Sequence, residues 1–168
     1  SRNQTQVNLD NPQDRMIGLT VFVAVMVVAF LLRVIIGGVY HGHEQDMSCF
    51  IAWADMVYND GFHKFYTTMT EGYPPGYIYI LYVIGWLRHI FSIPWNSAMS
   101  DILTKMPNIL TDLGMGYLIY KVASEKFRET GAALLSAVYL FCPAIILDSV
   151  VWGQTDSIYV VFLAWMFY

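Results

Sequence analysis

Apolar residues run from Met16 to Tyr40 with Arg33 as the one charge among them. A bilayer core of about 30 Å is crossed by about 20 helical residues, so this run predicts a membrane-spanning helix. It is too long for the core of a signal peptide, and no small-residue cleavage site follows it. Further apolar runs lie at Tyr77–Phe91, Ser100–Tyr120, Ala132–Leu147 and Ile158–Tyr168. Between the first two runs, Met47, Phe50, Ile51, Ala54, Val57 and Tyr58 recur at helical spacing, with Ser48, Asp55 and Asn59 opposite. That is an amphipathic helix suited to a membrane interface, where Trp53 and Tyr58 are also at home. Gly61 is its expected stop. The expected fold is therefore an all-α polytopic membrane module with amphipathic helices beside the first span.

The basic residues set the expected orientation. Arg2 and Arg15 precede the first span, which puts the N-terminus in the cytoplasm and Tyr40 outside. Lys121, Lys126 and Arg128 form the densest basic cluster and belong on the cytoplasmic side as well. Both conditions hold if Tyr77–Phe91, which is short and ends in Arg88-His89, lies along the outer face. The expected organisation is a cytoplasmic segment 1–15 and one module 16–168. Within the module, 16–40 spans and 41–98 is an external loop with interfacial helices. Segments 99–121 and 131–148 span, 149–157 is a second external loop, and 158–168 begins another span. That last run stops in mid-hydrophobic sequence, as the front part of a longer protein would. Both external loops then face one compartment.

Composition narrows the class further. Hydrophobic residues make up 57% and charged residues 13%, against about 45–50% and about 25% in soluble domains. The chain is neither disordered nor an ordinary soluble globule, and a multi-pass protein of the cell (plasma) membrane, in contact with its lipids, is expected. Nine Lys and Arg against thirteen Asp and Glu leave a net charge of −4, so no basic footprint for nucleic acid exists. Cys49 and Cys142 are too few for a disulfide framework and read as small buried hydrophobes.

Candidate chemistry gathers near the outer ends of the runs. The first external segment opens His41-Gly42-His43-Glu44-Gln45-Asp46. Asp46 reads either as a helix N-cap or as a carboxylate held at a cavity mouth as general base. His41, His43, Glu44 and Asp46 are metal-ligand types and leave a divalent metal open, but their spacing matches no recognised ligand pattern, and no cofactor is certain from the sequence. In Glu71-Gly72-Tyr73-Pro74-Pro75-Gly76-Tyr77 the prolines explain a turn and a helix start. They do not explain the gathering of Glu71, Tyr73 and Tyr77.

Within Ser100–Tyr120, Asp101, Lys105, Asn108 and Asp112 follow at steps of four, three and four and share one helix face, with Pro107 as a possible kink. Asp112 lies more than half-way into the bilayer core at about 1.5 Å rise per residue. Intramembrane charges normally face protein or a watered cavity. Two readings stand: a Lys105–Asp112 pair that positions helices, or Lys105 offering a cation to an anionic lipid headgroup near the outer leaflet. Arg33, about 26 Å along its helix, reaches a similar depth and either snorkels or joins that role. Finally, Trp152-Gly153-Gln154-Thr155-Asp156-Ser157 reads as an interface anchor and a helix cap, or as a dense hydrogen-bonding loop beside the first external segment.

In this order, these residues resemble the N-terminal part of GT-C-type integral membrane glycosyltransferases. The resemblance rests on Asp46 followed by Phe50, Trp53 and Ala54; on Gly61-Phe62, Phe65-Tyr66 and Tyr73-Pro74-Pro75; and on Pro143 with Trp152–Ser157. It is similar to bacterial dolichol-phosphate mannosyltransferase-like and glucosyltransferase-like proteins, and more distantly to protein O-mannosyltransferases and the lipid A aminoarabinose transferase. The resemblance implies a polyprenyl-phosphate-linked sugar donor and a glycan, lipid or protein acceptor on the external side. Asp46 then matches the catalytic carboxylate, with Glu44 as the second acid across Gln45. Tyr73, Trp152, Gln154 and Asp156 are the expected substrate-binding residues, and Lys105 and Arg33 the expected donor-phosphate cations. An acceptor hydroxyl attacking an anomeric carbon needs a base, and a departing phosphate needs cations or donors. Two other classes share parts of the pattern: a multi-pass transporter or flippase, and a non-catalytic membrane assembly subunit.

Overall fold

The computed structural model describes residues 12–69 and 74–168, and every regular element among them is helical. In chain order these are α1 Pro12–Val39, α2 Glu44–Thr68, α3 Pro75–Ile90, α4 Ala98–Ser124 and α5 Glu129–Leu140. A short α6, Pro143–Ile146, runs into a π-helical turn, Leu147–Trp152, and α7, Asp156–Phe167, follows. By length and composition α1 can cross a membrane, and α5 with Pro143–Trp152 can do so as one broken span bent by 48°. Of the several spans expected from the sequence, one or two are therefore long and apolar enough in the structure. The N-terminal segment expected in the cytoplasm falls outside the described residues up to position 11.

Helices α1, α4, α5 and α7 form a bundle whose directions follow from their contacts. Along α1 and α4, Phe22 stacks on Tyr120, Arg33 meets Asp112, and His41 meets Asp101, an antiparallel order. Helix α5 runs with α1: Glu129 lies against Gly18, and the Leu140 carbonyl reaches Arg33. Helix α7 runs with α4, from Ser157 beside Thr111 to Trp165 beside Tyr117. The segments between α1 and α4 and between α5 and α7 consequently emerge at one end of the bundle. Glycines set the closest approaches, since a Cβ at Gly18 would overlap Glu129 and one at Gly116 would come within 2.8 Å of Leu140.

The sequence explains where the helices break. Pro143 has no N–H to continue α5 and disfavours helical geometry in Cys142 before it. Gly153 closes the π turn in the left-handed region at φ 89°, and its N–H donates to the Asp148 carbonyl at 3.1 Å. Pro107, by contrast, sits inside an unbroken α4.

Gly61 bends α2 without ending it. Its φ of 80° and ψ of 166° belong to a region open essentially to glycine, and helix resumes on both sides. The bend folds Phe65 back edge-on against Trp53, 6.1 Å away between centroids. Helix α3 lies along the first part of α2, with Phe50 at Tyr77, Ala54 at Gly85 and Tyr58 at His89. Met47, Phe50, Ile51, Ala54 and Val57 are all buried on the face the periodicity marks, and Ile158 of α7 shares one cluster with Phe50, Ala54 and Val57. Cys49 and Cys142 are half-buried, less enclosed than the sequence reading has them.

A candidate carboxylate site where α2 begins

The polar stripe of α4 holds the site together from beneath. Asp101, Lys105, Asn108 and Asp112 are all buried, and each is tied to another element. Asp101 bonds the His41 ring at 2.8 Å. Lys105 donates to the Gly37 carbonyl at 3.3 Å and to the Tyr40 carbonyl. These are acceptors that the end of α1 leaves without helical partners, where a cation is also favoured by the helix dipole. Asn108 donates to the Gln154 carbonyl at 2.6 Å and, longer, to that of Ser149. Asp112 takes Arg33 Nε at 3.0 Å.

Two expectations about these charges are corrected. Asp112 pairs with Arg33 and not with Lys105, which lies two turns away along the same helix, about 10 Å at about 1.5 Å per residue. Arg33 does not snorkel to the interface. Its side chain is fully buried, and it also donates to the Leu140 carbonyl at 2.8 Å and the Ala29 carbonyl at 3.4 Å. The Leu140 carbonyl is available because α5 ends there. Lys105 is likewise fully buried, spent on the carbonyls of α1.

Over this base two loops meet. Gly42, at φ 101°, lets the chain pass so close to Trp152 that a Cβ would come within 2.6 Å of the Trp152 carbonyl. That carbonyl accepts the His43 N–H at 2.8 Å. The His43 ring stacks on the Trp152 indole at 5.2 Å and 13°. Across the loop, a Cβ on Gly153 would come within 2.9 Å of Met47 Sδ and 3.6 Å of Lys105 Cε. Lys105 thus lies directly under the turn.

Asp46 is the focus of the arrangement. The residue that caps α2 is His43, and Asp46 stands third in the helix, so the N-cap reading is replaced. Its Oδ2 accepts Trp152 Nε1 at 3.2 Å and Gln154 Nε2 at 3.1 Å, with His43 Nδ1 3.2 Å away. None of these contacts uses Oδ1, and the side chain remains about a third exposed at 32%. One oxygen is pinned and the carboxylate is reachable, a geometry in which a group can accept a proton from a bound hydroxyl.

The other expected site residues are distributed around it. Trp152 and Gln154 are direct partners of Asp46, and the Trp152 indole is half-exposed. Glu44 is exposed in the same first turn of α2. Asp156, expected as a cap, is the first residue of α7 and is exposed, while Thr155 holds the cap position. Tyr73 and Glu71 lie outside the described residues. No three His, Cys, Asp or Glu among the described residues are grouped to hold a metal ion. His43 was missed as a partner of Asp46, although its spacing three residues earlier was a signal available in the sequence. The close-packed Gly42 and Gly153 carried no comparable signal.

No protein-family model, curated protein or solved structure matches this chain.

Proposed function

We propose that the protein is an inverting membrane glycosyltransferase that moves a sugar from a polyprenyl-phosphate donor to an acceptor hydroxyl on the external side. The chain is a multi-pass protein of the plasma membrane in this reading, with the Asp46 end of the bundle outside. The observation that carries it is the convergence of Trp152, Gln154 and His43 on one oxygen of Asp46 at the mouth of the bundle. A carboxylate so oriented is what general-base activation of an alcohol requires.

In the reaction, the acceptor O–H gives its proton to Asp46 while the oxygen attacks the anomeric carbon. The bond from that carbon to the phosphate oxygen breaks, and its electron pair leaves with the lipid phosphate. The attack comes from the face opposite the leaving group, so the configuration inverts. Phosphate leaves readily without a dedicated acid. Lys105 acts through its charge from beneath the Gly153 turn, a field of longer reach in a dry interior than in water. Arg33 has no part in it. The half-exposed Trp152 indole offers an aromatic face to the sugar, and Glu44 and Asp156 are exposed acceptors for its hydroxyls.

The buried Arg33–Asp112 pair favours a second reading, transport of a lipid-linked solute, since charges inside a bundle also mark solute pathways. The test is transfer from a synthetic short-chain polyprenyl-phosphate sugar by the full chain in proteoliposomes. Asp46→Asn is expected to lose on the order of a hundredfold or more in turnover. Equal turnover in both proteins removes the base assignment. Flux of the labelled donor across the vesicle membrane with no transfer in either protein selects transport.

A further inference from the structure

Two adjoining cavities lie where α3 hands over to α4, and they share no residue with the Asp46 constellation. One, of about 540 Å³, is apolar and lined by Leu87, Phe91, Met99 and Leu103 among others. The second, of about 250 Å³, is polar and lined by Asp55, Arg88, His89 and Trp95. Ser92 and Ile93 line both, so one wall is common to the two. Ser92 stands at φ 50°, an uncommon conformation for a residue with a side chain, in the turn that shapes this wall.

Arg88 is the unusual group. It is only 4% exposed, yet its Nε has no hydrogen-bond partner among the described residues. The guanidinium is fixed, since Nη1 donates to Asp55 Oδ1 at 3.2 Å and the group sits 5.7 Å over the Trp95 ring. Trp95 Nε1 donates to the other oxygen of the same carboxylate at 2.6 Å. A buried N–H left without an acceptor is costly, so the site lacks an acceptor that a bound group would supply. Arginine's planar fork suits a phosphate oxygen. His89, with 41% of its side chain exposed, adds a ring donor beside it. Next to this headgroup-sized pocket, Phe91 and Met99 are 68% and 58% exposed along the apolar one. A molecule that satisfies both has an oxyanion and a hydrocarbon chain joined within a few atoms.

We propose that these cavities bind one membrane phospholipid, its phosphate accepting from Arg88 Nε and an acyl chain lying along Leu87, Phe91, Met99 and Leu103. The inference rests on the membrane reading above and is independent of glycosyl transfer. The lipid seals the α3–α4 junction at the level where α4 starts, the end of the bundle that carries His41 and Asp101.

The experiment is native mass spectrometry of the full chain released from nanodiscs of dioleoyl phosphatidylglycerol. One retained phospholipid is expected for the wild type. Arg88→Gln and Leu103→Trp, the first removing the guanidinium and the second filling the groove, should each lower the retained fraction at least tenfold with helix content unchanged. Because Arg88→Gln also removes a partner of Asp55, Leu103→Trp decides the matter if the former fails to fold. A galactosyl diacylglycerol, which lacks phosphate, should not be retained, and inorganic phosphate added in detergent should not bind. No retained lipid in the wild type, equal retention in a folded Leu103→Trp variant, or equal retention of the galactolipid would overturn the proposal. Binding of inorganic phosphate without lipid would overturn it in favour of a free-anion site.

Discussion

Arg33 on α1 and Asp112 on α4 meet at 3.0 Å with neither side chain exposed. Through Leu140 the same guanidinium also holds the end of α5, so one side chain joins three helices of the bundle. Removing one member of such a pair strands a buried charge, at a cost of about 3–5 kcal/mol, whereas replacing both by apolar residues is often close to neutral. Arg33→Leu and Asp112→Leu are each expected to lower the unfolding midpoint in detergent sharply, and the double variant to regain most of the loss. A double variant as unstable as the sum of the singles would show that the pair is not a unit.

Trp152 and Gln154 orient Asp46 by single hydrogen bonds. Trp152→Phe keeps a ring for His43 to stack on and removes the indole N–H. One such bond is worth about 1–1.5 kcal/mol, or about tenfold in turnover if it serves only the active orientation. The transfer assay with Trp152→Phe should therefore fall between wild type and Asp46→Asn, with stability little changed.

Glycine substitutions should separate close approach from mere helical glycine. A Cβ at Gly85 would overlap the Ala54 carbonyl, while one at Gly114 meets Val161 at an ordinary 3.6 Å. Gly85→Ala is expected to destabilise by about 1–3 kcal/mol through forced separation of α2 and α3. Gly114→Ala should be neutral or stabilising by up to about 1 kcal/mol, since alanine favours helix. Thermal unfolding of the two variants in the same detergent checks the difference in sign.

Gly61 isolates backbone conformation from space, because a Cβ there has nothing within 4 Å. Its φ of 80° with ψ of 166° still excludes other residues. Gly61→Ala should cost about 1–3 kcal/mol and weaken the fold-back of Phe65 on Trp53. Near-ultraviolet circular dichroism, which reads the aromatic packing, should change while total helix content does not.

Orientation can be read by labelling. With Cys49 and Cys142 replaced by alanine, a cysteine at exposed Asn96 should react with an impermeant reagent added outside intact cells. One at Ser124, at the far end of α4, should not. Ready labelling at Ser124 reverses the assignment of the basic cluster Lys121, Lys126 and Arg128 to the cytoplasm.

The sequence by itself determined what depends on neighbours a few residues apart. Helix periodicity marked the buried face of α2, and the four–three–four spacing on α4 placed Asp101, Lys105, Asn108 and Asp112 on one face, where all four are buried. These follow from the geometry of a single helix, and the pattern of side chains repeats it. It did not determine which charge Asp112 would meet, because that choice lies between helices. Along α4 the Lys105 ammonium is too far away, and only packing brings Arg33 across from 79 residues earlier. The donors to Asp46 come from 106 and 108 residues later, through a π turn and two glycines at positive φ. Gly61 shows the same division, since its type announced a break in the helix and only the packing of Phe65 on Trp53 made that break a bend. Tertiary structure decides such matters because the free energy of a buried polar group is set by whichever partner packing delivers, and no local pattern encodes that partner.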